Sequence, residues 1–256
     1  MKIFDFHLHP GYDFHEEELA PEAFFERLRA YGITRCAGSA THKADSNQAI
    51  EAYTEILPRL NREAYEWQER YPDSFTAGIH IHPDFVELSC KEVAYYAARG
   101  VRLVGELVPY LMGWRNYADT RLWEILELVQ EKGMVLNFHP NKRPEDMEAM
   151  IKQFPKLKIV IAHLDGYGLY DFAMETMQKY ENVYFDISAH GATREGMLQD
   201  AVARVGAERI LFGTDYPGYS PDPFVRAVLS ADISDDDKEL IFYKNAEKLL
   251  GIKLPS

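Results

Sequence analysis

Histidines and carboxylates end several apolar segments of this chain, a pattern suited to holding a divalent metal ion. Segment 4–9 (FDFHLH) carries His7 and His9 two positions apart. Residues at positions i and i+2 of a β-strand point to the same side, so the two imidazoles can converge on one ion. The same alternation puts Asp5 on their face and Phe4 on the opposite face. Imidazole and carboxylate ligands suit Zn²⁺ and similar divalent ions.

Four more apolar segments end in an ionisable side chain: VRLVG in Glu106, VLNF in His139, IVIA in His163 and LFGT in Asp215. A buried polar group costs about a few kcal/mol unless it is paired. Five such segments in a purely structural protein would therefore be costly, whereas a shared metal ion supplies the pairing. The pattern predicts a metal-dependent enzyme.

Three further residues are candidates for substrate contact, with an ordinary structural role as the open alternative. His82 ends the third apolar segment and His190 follows the seventh, and either can instead be a hydrogen-bonded histidine. Arg115 follows the fourth segment beside Tyr110 and Trp114, where loop packing is the alternative.

The elements that would position these residues alternate along the chain. Eight apolar or β-branched segments are separated by amphipathic stretches, which is typical of repeated βα units and a parallel sheet. The segments end 24 to 42 residues apart, at His9, Ala40, His82, Glu106, His139, His163, Ser188 and Asp215. A chain of 256 residues matches one (β/α)8 TIM barrel, in which active sites form at the C-terminal strand ends.

We therefore predict an α/β fold, a (β/α)8 TIM barrel in a single metal-dependent domain over residues 1–256. An extra long helix is expected after the second strand, over residues 45–70, with Pro58 kinking or dividing it. Helices are also expected at the C-terminal end of the chain, after the eighth strand.

The composition of the chain excludes several classes of binding partner. With 28 basic and 41 acidic side chains the net charge is −13, which argues against nucleic-acid binding. The sequence has no apolar run long enough to span a membrane and no apolar core of an export signal near its first residue. Cys36 and Cys90 are isolated, so free thiols and a cytoplasmic location are expected. The predicted partner is a small-molecule substrate, and a homodimer is an open alternative.

The motifs resemble those of the amidohydrolase superfamily of metal-dependent TIM barrels. FDFHLHP, AERILFGTDYP and YKNAEKLLG look most like the amidohydrolase-related (amidohydrolase 2) family, which contains hydrolases and decarboxylases. The resemblance implies that His7, His9 and His139 bind metal, and that Asp215 binds metal and handles a proton. It implies a second-metal or acid/base role for His163. Glu106 departs from the carbamylated-lysine subtype and looks like the bridging glutamate of the TatD-like branch.

Hydrolysis is the leading hypothesis. One or two divalent ions per chain, Zn²⁺ in the first place and Mn²⁺ as the alternative, would activate water to cleave an amide, ester or lactone bond. Asp215 and His163 would be the catalytic residues. The alternative is a metal-dependent, non-hydrolytic decarboxylase (a lyase) of a small carboxylic acid, with Asp215 or His163 protonating carbon. A hypothesis of another class is a catalytically inactive ligand-binding barrel.

Overall fold

Eight parallel strands form a barrel in the computed structural model, which describes residues 2–11, 20–192 and 194–254. Neighbours along the chain are neighbours in the sheet. The amide of Phe6 donates to the Phe212 carbonyl at 2.8 Å, which joins the last strand to the first. The predicted (β/α)8 barrel is confirmed. Its strands are β1 (Ile3–Leu8), β2 (Ile33–Ser39), β3 (Phe75–Ile79), β4 (Leu103–Leu107), β5 (Val135–Phe138), β6 (Lys158–Ile161), β7 (Val183–Asp186) and β8 (Ile210–Leu211).

Helices follow the strands and cover the outside of the barrel. They are α1 (Pro21–Ala30), α2 (Tyr53–Arg70), α3 (Val86–Ala97), α4 (Thr120–Glu131), α5 (Pro144–Gln153), α6 (Tyr170–Lys179), α7 (Met197–Val205), α8 (Asp222–Ser230), α9 (Asp235–Glu239) and α10 (Asn245–Leu250). The last three are the predicted C-terminal helices. Within the described ranges, none of the helices has both the length and the apolar composition needed to cross a bilayer.

The long helix after β2 is shorter than predicted. Residues 43–45 and 50–52 form separate 3₁₀ turns, and α2 begins only at Tyr53. Pro58 lies inside α2 and does not divide it. Its missing N–H removes one helical bond, to the Thr54 carbonyl, near the start of the helix. Burial of the apolar face that includes Leu57 and Leu60 outweighs that loss.

An apolar cluster fills the N-terminal end of the barrel interior. Its members come from six strands and are Phe4, Phe6, Ala37, Leu103, Val135, Val160 and Leu211, closed from below by Ala246, Leu250 and Leu254. Burial of each phenylalanine, leucine or valine side chain in this cluster contributes about 1.5–3 kcal/mol to the stability of the fold. Because the lower barrel is packed in this way, the upper interior is left for polar side chains.

The first strand changes its alternation on the way to the upper barrel. Asp5 pairs with Cys36 and Leu8 pairs with Gly38, so β1 has one residue more than β2 over this interval. An extra residue of this kind moves the following side chains to the other face. Phe4 and Phe6 lie in the inner cluster, and the shift brings His7 to the interior as well. The prediction that Phe4 points away from the histidine face is wrong for this reason.

Candidate metal centre

The six predicted ligand residues meet at the C-terminal end of the barrel. They come from the ends of five strands and are His7, His9, Glu106, His139, His163 and Asp215. The nitrogen and carboxylate atoms of five of them form overlapping groups within 4.8 Å: His7–His9–Glu106, Glu106–His139–His163, and His7–His163 with Asp186. The strand ends thus place together residues that are up to 208 positions apart in the chain.

Glu106 lies between two pairs of histidines. Its Oε2 atom is 3.4 Å from His7 Nε2 and 3.3 Å from His9 Nε2. Its Oε1 atom is 3.0 Å from His139 Nδ1 and 3.2 Å from His163 Nε2. The side chain is only 3% exposed. Burial opposes its charged form, but His7, His139 and His163 outweigh burial and hold the pKa of Glu106 well below its ordinary value.

A slip in strand pairing turns Glu106 into the barrel. Val104 pairs with Leu136 and Leu107 pairs with Phe138, so β4 has one residue more than β5 over this interval. Bulges of this kind re-aim side chains and are common beside active sites. The alternation that places Leu103 in the inner cluster would otherwise bring Gly105 to the interior.

Asp215 is the more exposed of the two acidic residues of the set that line the cavity. Its Oδ1 atom lies 3.5 Å from His9 Nε2 and 3.9 Å from His7 Nε2. Its side chain is 21% exposed, far more than that of Glu106. The backbone has a φ of +61°, a conformation that is uncommon for a residue other than glycine and clusters at functional sites. Asp215 can therefore reach both the histidines and a bound small molecule.

The donor set fits a divalent cation. Ligands bound tetrahedrally at about 2.0–2.2 Å lie about 3.3–3.6 Å from one another. Three contacts in the centre have such separations: His7 Nε2–Glu106 Oε2 at 3.4 Å, His9 Nε2–Glu106 Oε2 at 3.3 Å and His9 Nε2–Asp215 Oδ1 at 3.5 Å. His7 Nε2 is buried without a hydrogen-bond partner, which costs about 1–3 kcal/mol unless another ligand takes its lone pair.

Asp186, which the sequence analysis missed, orients these histidines. Its buried carboxylate is 2.9 Å from His7 Nδ1 and accepts from Asn137 Nδ2 at 3.1 Å. Histidine ligands of metals commonly donate their second nitrogen to a carboxylate in this way. Burial opposes the charged form of Asp186, but His7 outweighs it and lowers the pKa of Asp186 to about 2. Asp186 lies two positions before Ser188, the residue that marked this strand end, and the alternation rule could have found it.

Ser188 and Asp186 also position the second histidine pair. Ser188 Oγ is 2.9 Å from His163 Nδ1 and 3.1 Å from His7 Nδ1. The amide of His163 donates to Asp186 Oδ1 at 3.3 Å. His163 Nε2 is thereby directed toward His139 Nδ1, which lies 2.9 Å away.

Asp5 does not join the ligand atoms, although the alternation predicted that it shares the histidine face. Its buried carboxylate accepts from the amides of His7 and Thr214, each at 3.1 Å, and from Thr214 Oγ at 2.5 Å. Burial raises the pKa of Asp5 to about 7. Asp5 thus ties the end of β1 to the residue that precedes Asp215.

Replacing Asp186 by asparagine is expected to weaken metal binding about 10- to 100-fold, because the neutral amide no longer fixes the His7 ring with its Nε2 toward Glu106. The measurement is metal affinity by titration calorimetry. Asp171→Asn is the matched control, since Asp171 is an exposed partner of Arg204 on α6. Equal affinities of the Asp186 variant and wild type would contradict this orienting role.

A cavity of about 270 Å³ opens above these residues. His9, Glu106, His139, His163 and Asp215 contribute to its lining. Its upper walls include three tyrosines, Tyr110, Tyr167 and Tyr219. The volume is just below the range of about 300–1,000 Å³ for drug-sized ligand sites. Polar groups at the base and aromatic rings above suit a small molecule that is polar at one end.

Of the three predicted substrate contacts, His190 lines this cavity, with its Nε2 3.4 Å from the Tyr219 hydroxyl. His82 lies outside it: its Nε2 is 2.7 Å from the Met112 carbonyl and its Nδ1 accepts from the Asp84 amide at 3.1 Å. Arg115 is also absent from the lining that the structure describes. Substrate contact by His82 and Arg115 therefore stays a prediction, and the geometry favours the hydrogen-bonded alternative for His82.

Comparison with known proteins gives a family and several relatives. The amidohydrolase family model matches residues 4–252. The gamma-resorcylate decarboxylase of Polaromonas sp. is 30% identical over 122 residues, which cover 40% of this chain and 37% of that protein. The match therefore spans little more than a third of the length of this curated relative.

Two solved structures share the fold over almost the whole chain. A dihydroxybenzoic acid decarboxylase from Polaromonas sp., with bound manganese and the inhibitor 2-nitroresorcinol, has a TM-score of 0.75 at 18% identity and covers 98% of this chain and 97% of its own. A 2,6-dihydroxybenzoate decarboxylase complexed with 2,6-dihydroxybenzoate has a TM-score of 0.77 at 16% identity. The match covers 98% of this chain and 100% of that structure's chain.

These relatives correct two expectations. The leading hypothesis of a hydrolase is wrong, since the similar proteins are decarboxylases and favour the lyase alternative. The preference for Zn²⁺ has no support either, because the dihydroxybenzoic acid decarboxylase structure contains manganese. Ligand types could not reveal these points, since the same histidine and carboxylate donors serve several metals and reactions.

Proposed function

The chain belongs to the amidohydrolase family, and within it we propose a metal-dependent, non-hydrolytic decarboxylase of small aromatic carboxylic acids. The single observation that carries the proposal is the position of Asp215. It joins the histidine cluster and is also the acidic residue most open to a cavity with aromatic walls. The decarboxylase relatives support the same reaction.

The proposed ligands are His7, His9, Glu106, His139, His163 and Asp215. We propose Mn²⁺ as the ion, in accord with the similar manganese-containing structure. A bound divalent ion would supply positive charge that orients the oxygen atoms of the substrate and stabilises the negative charge developed as the carboxylate departs. The two oxygens of Glu106 face different histidine pairs, which favours a capacity for a second ion.

A residue of the protein delivers the proton that replaces the carboxylate on the substrate. The substrate lies with its carboxyl-bearing carbon above Asp215, and the tyrosine rings of the cavity wall exclude water from its ring. The C–C bond to the carboxylate breaks, CO₂ leaves, and the bonding electron pair stays on the ring carbon. A proton taken up from water passes through the Asp215 carboxylate to that carbon and forms the new C–H bond. His163 is a weaker candidate for the donor, because it is only 4% exposed and both its ring nitrogens have partners.

The test is turnover of hydroxybenzoates by protein loaded with Mn²⁺. We expect 2,6-dihydroxybenzoate or a related acid to release CO₂, and the product formed in D₂O to carry one deuterium at the former carboxyl position. Protein stripped of metal by a chelator is the control and should regain activity when Mn²⁺ is restored. Absence of turnover across a panel of hydroxybenzoates in metal-loaded protein would refute the proposal.

Several expectations from the sequence stay predictions. They are a single domain over residues 1–256, a cytoplasmic location, the absence of nucleic-acid binding, and a homodimer as one alternative for the assembly.

A further inference from the structure

Tyr167 has features that neither the metal cluster nor the fold requires. Its side chain is 49% exposed, and it lines the cavity above the metal centre. Its φ of +56° is a left-handed conformation, uncommon in a residue other than glycine. Such conformations cost of order 1–3 kcal/mol and cluster at active sites and ligand clamps. A strained turn that holds an exposed aromatic ring over a cavity points to a ligand.

The turn that carries Tyr167 is held from both sides. The amide of Gly166 donates to the His163 carbonyl at 2.8 Å, and that of Gly168 donates to the Asp165 carbonyl at 3.1 Å. Gly166 also packs closely on the loop after β5, where a Cβ atom would lie 2.6 Å from Pro140 Cγ. The position of the Tyr167 ring is thereby linked to a residue of the proposed metal centre, His163.

Neighbouring groups make this rim suited to an aromatic anion. The centroids of the Tyr167 and His139 rings are 5.7 Å apart, and the Tyr110 ring, also half exposed, is 5.3 Å from the same histidine. Lys142 Nζ lies 5.3 Å from the centroid of the Tyr167 ring. Two aromatic rings from different loops therefore stand over one histidine, with a positive charge beside them. In a chain of net charge −13, that local cation favours the approach of an anion.

We propose that Tyr167 determines specificity for planar aromatic acids by packing its ring against the ring of the substrate. This inference rests on the proposed function for the identity of the ligand, and it adds the residue that separates aromatic from non-aromatic acids. Aromatic pairs prefer offset or edge-to-face contact and contribute beyond the area they bury. A saturated ring of the same carbon skeleton lacks that contribution.

The test compares the binding of benzoate and cyclohexanecarboxylate to Mn²⁺-loaded protein by titration calorimetry. We expect Tyr167→Leu to weaken benzoate binding about three- to tenfold, the size of one aromatic pair interaction, and to change cyclohexanecarboxylate binding less than twofold. Tyr167→Phe is expected to restore most of the preference for benzoate. Tyr95→Leu is the matched control, since Tyr95 is also 49% exposed but lies on α3, outside the cavity.

Binding and turnover separate the two proposals. If Tyr167→Leu selectively weakens benzoate binding while no acid is decarboxylated, the specificity role stands and the proposed function fails. The specificity role is overturned if Tyr167→Leu affects both acids equally or neither, or if wild type binds neither acid. Metal content is measured for every variant, and loss of metal in Tyr167→Leu would show a structural role instead of substrate packing.

Discussion

Replacing Asp215 by asparagine is expected to lower the decarboxylation rate by about 10²- to 10⁴-fold, the usual contribution of a positioned proton donor. Asparagine keeps an oxygen atom near His9 but cannot deliver a proton. Metal content is therefore expected to stay close to that of wild type, while kcat falls. The measurement is kcat with 2,6-dihydroxybenzoate, together with metal content per chain by elemental mass spectrometry.

Asp222→Asn is the control for the Asp215 substitution, because Asp222 is an exposed residue paired with Arg226 at the start of α8. Full activity in the Asp215 variant would exclude Asp215 as the donor and direct attention to His163. Loss of the metal in that variant would instead show that the main role of Asp215 is ligation.

Replacing Glu106 by glutamine is expected to weaken metal binding by more than about 100-fold, beyond the effect of removing an orienting residue such as Asp186. Glu106 contacts all four histidines of the centre, so its neutralisation removes negative charge from both halves of the site. Catalytic activity is expected to be lost with the metal.

The weaker metal binding expected for Glu106→Gln can be measured as a smaller stabilisation of the folded protein by Mn²⁺. At a Mn²⁺ concentration 100 times the wild-type Kd, binding stabilises the wild-type protein by about 2.7 kcal/mol, whereas a 100-fold weaker site gives about 0.4 kcal/mol. Added Mn²⁺ should therefore raise the Tm of wild type clearly and that of the variant hardly at all. Glu148→Gln, at a surface ion pair with Lys179, should respond like wild type. An equal rise in the Glu106 variant would disprove its central role.

Much of the site was predictable because strand periodicity and barrel topology are local and general rules. Apolar segments that end in His139, His163 or Asp215 must deliver those side chains to one end of a closed parallel barrel. The His7–His9 spacing carried the same information within one strand. The choice of reaction was not predictable from these residues, since the hydrolase hypothesis and the decarboxylase alternative use the same donors.

The barrel and the convergence of its polar strand ends are encoded in the amino-acid pattern, because both follow from alternation along the chain. The strand faces and loops that supply the remaining site residues depend on contacts between elements far apart in the chain. The extra residues in β1 and β4 reverse the alternation before His7 and Glu106, and they arise from pairing with neighbouring strands. Asp186 and Tyr167 acquire their positions from contacts with residues distant in the chain, such as His7 and His139. Local patterns specify a strand or a helix, whereas register and loop direction are set by packing between elements.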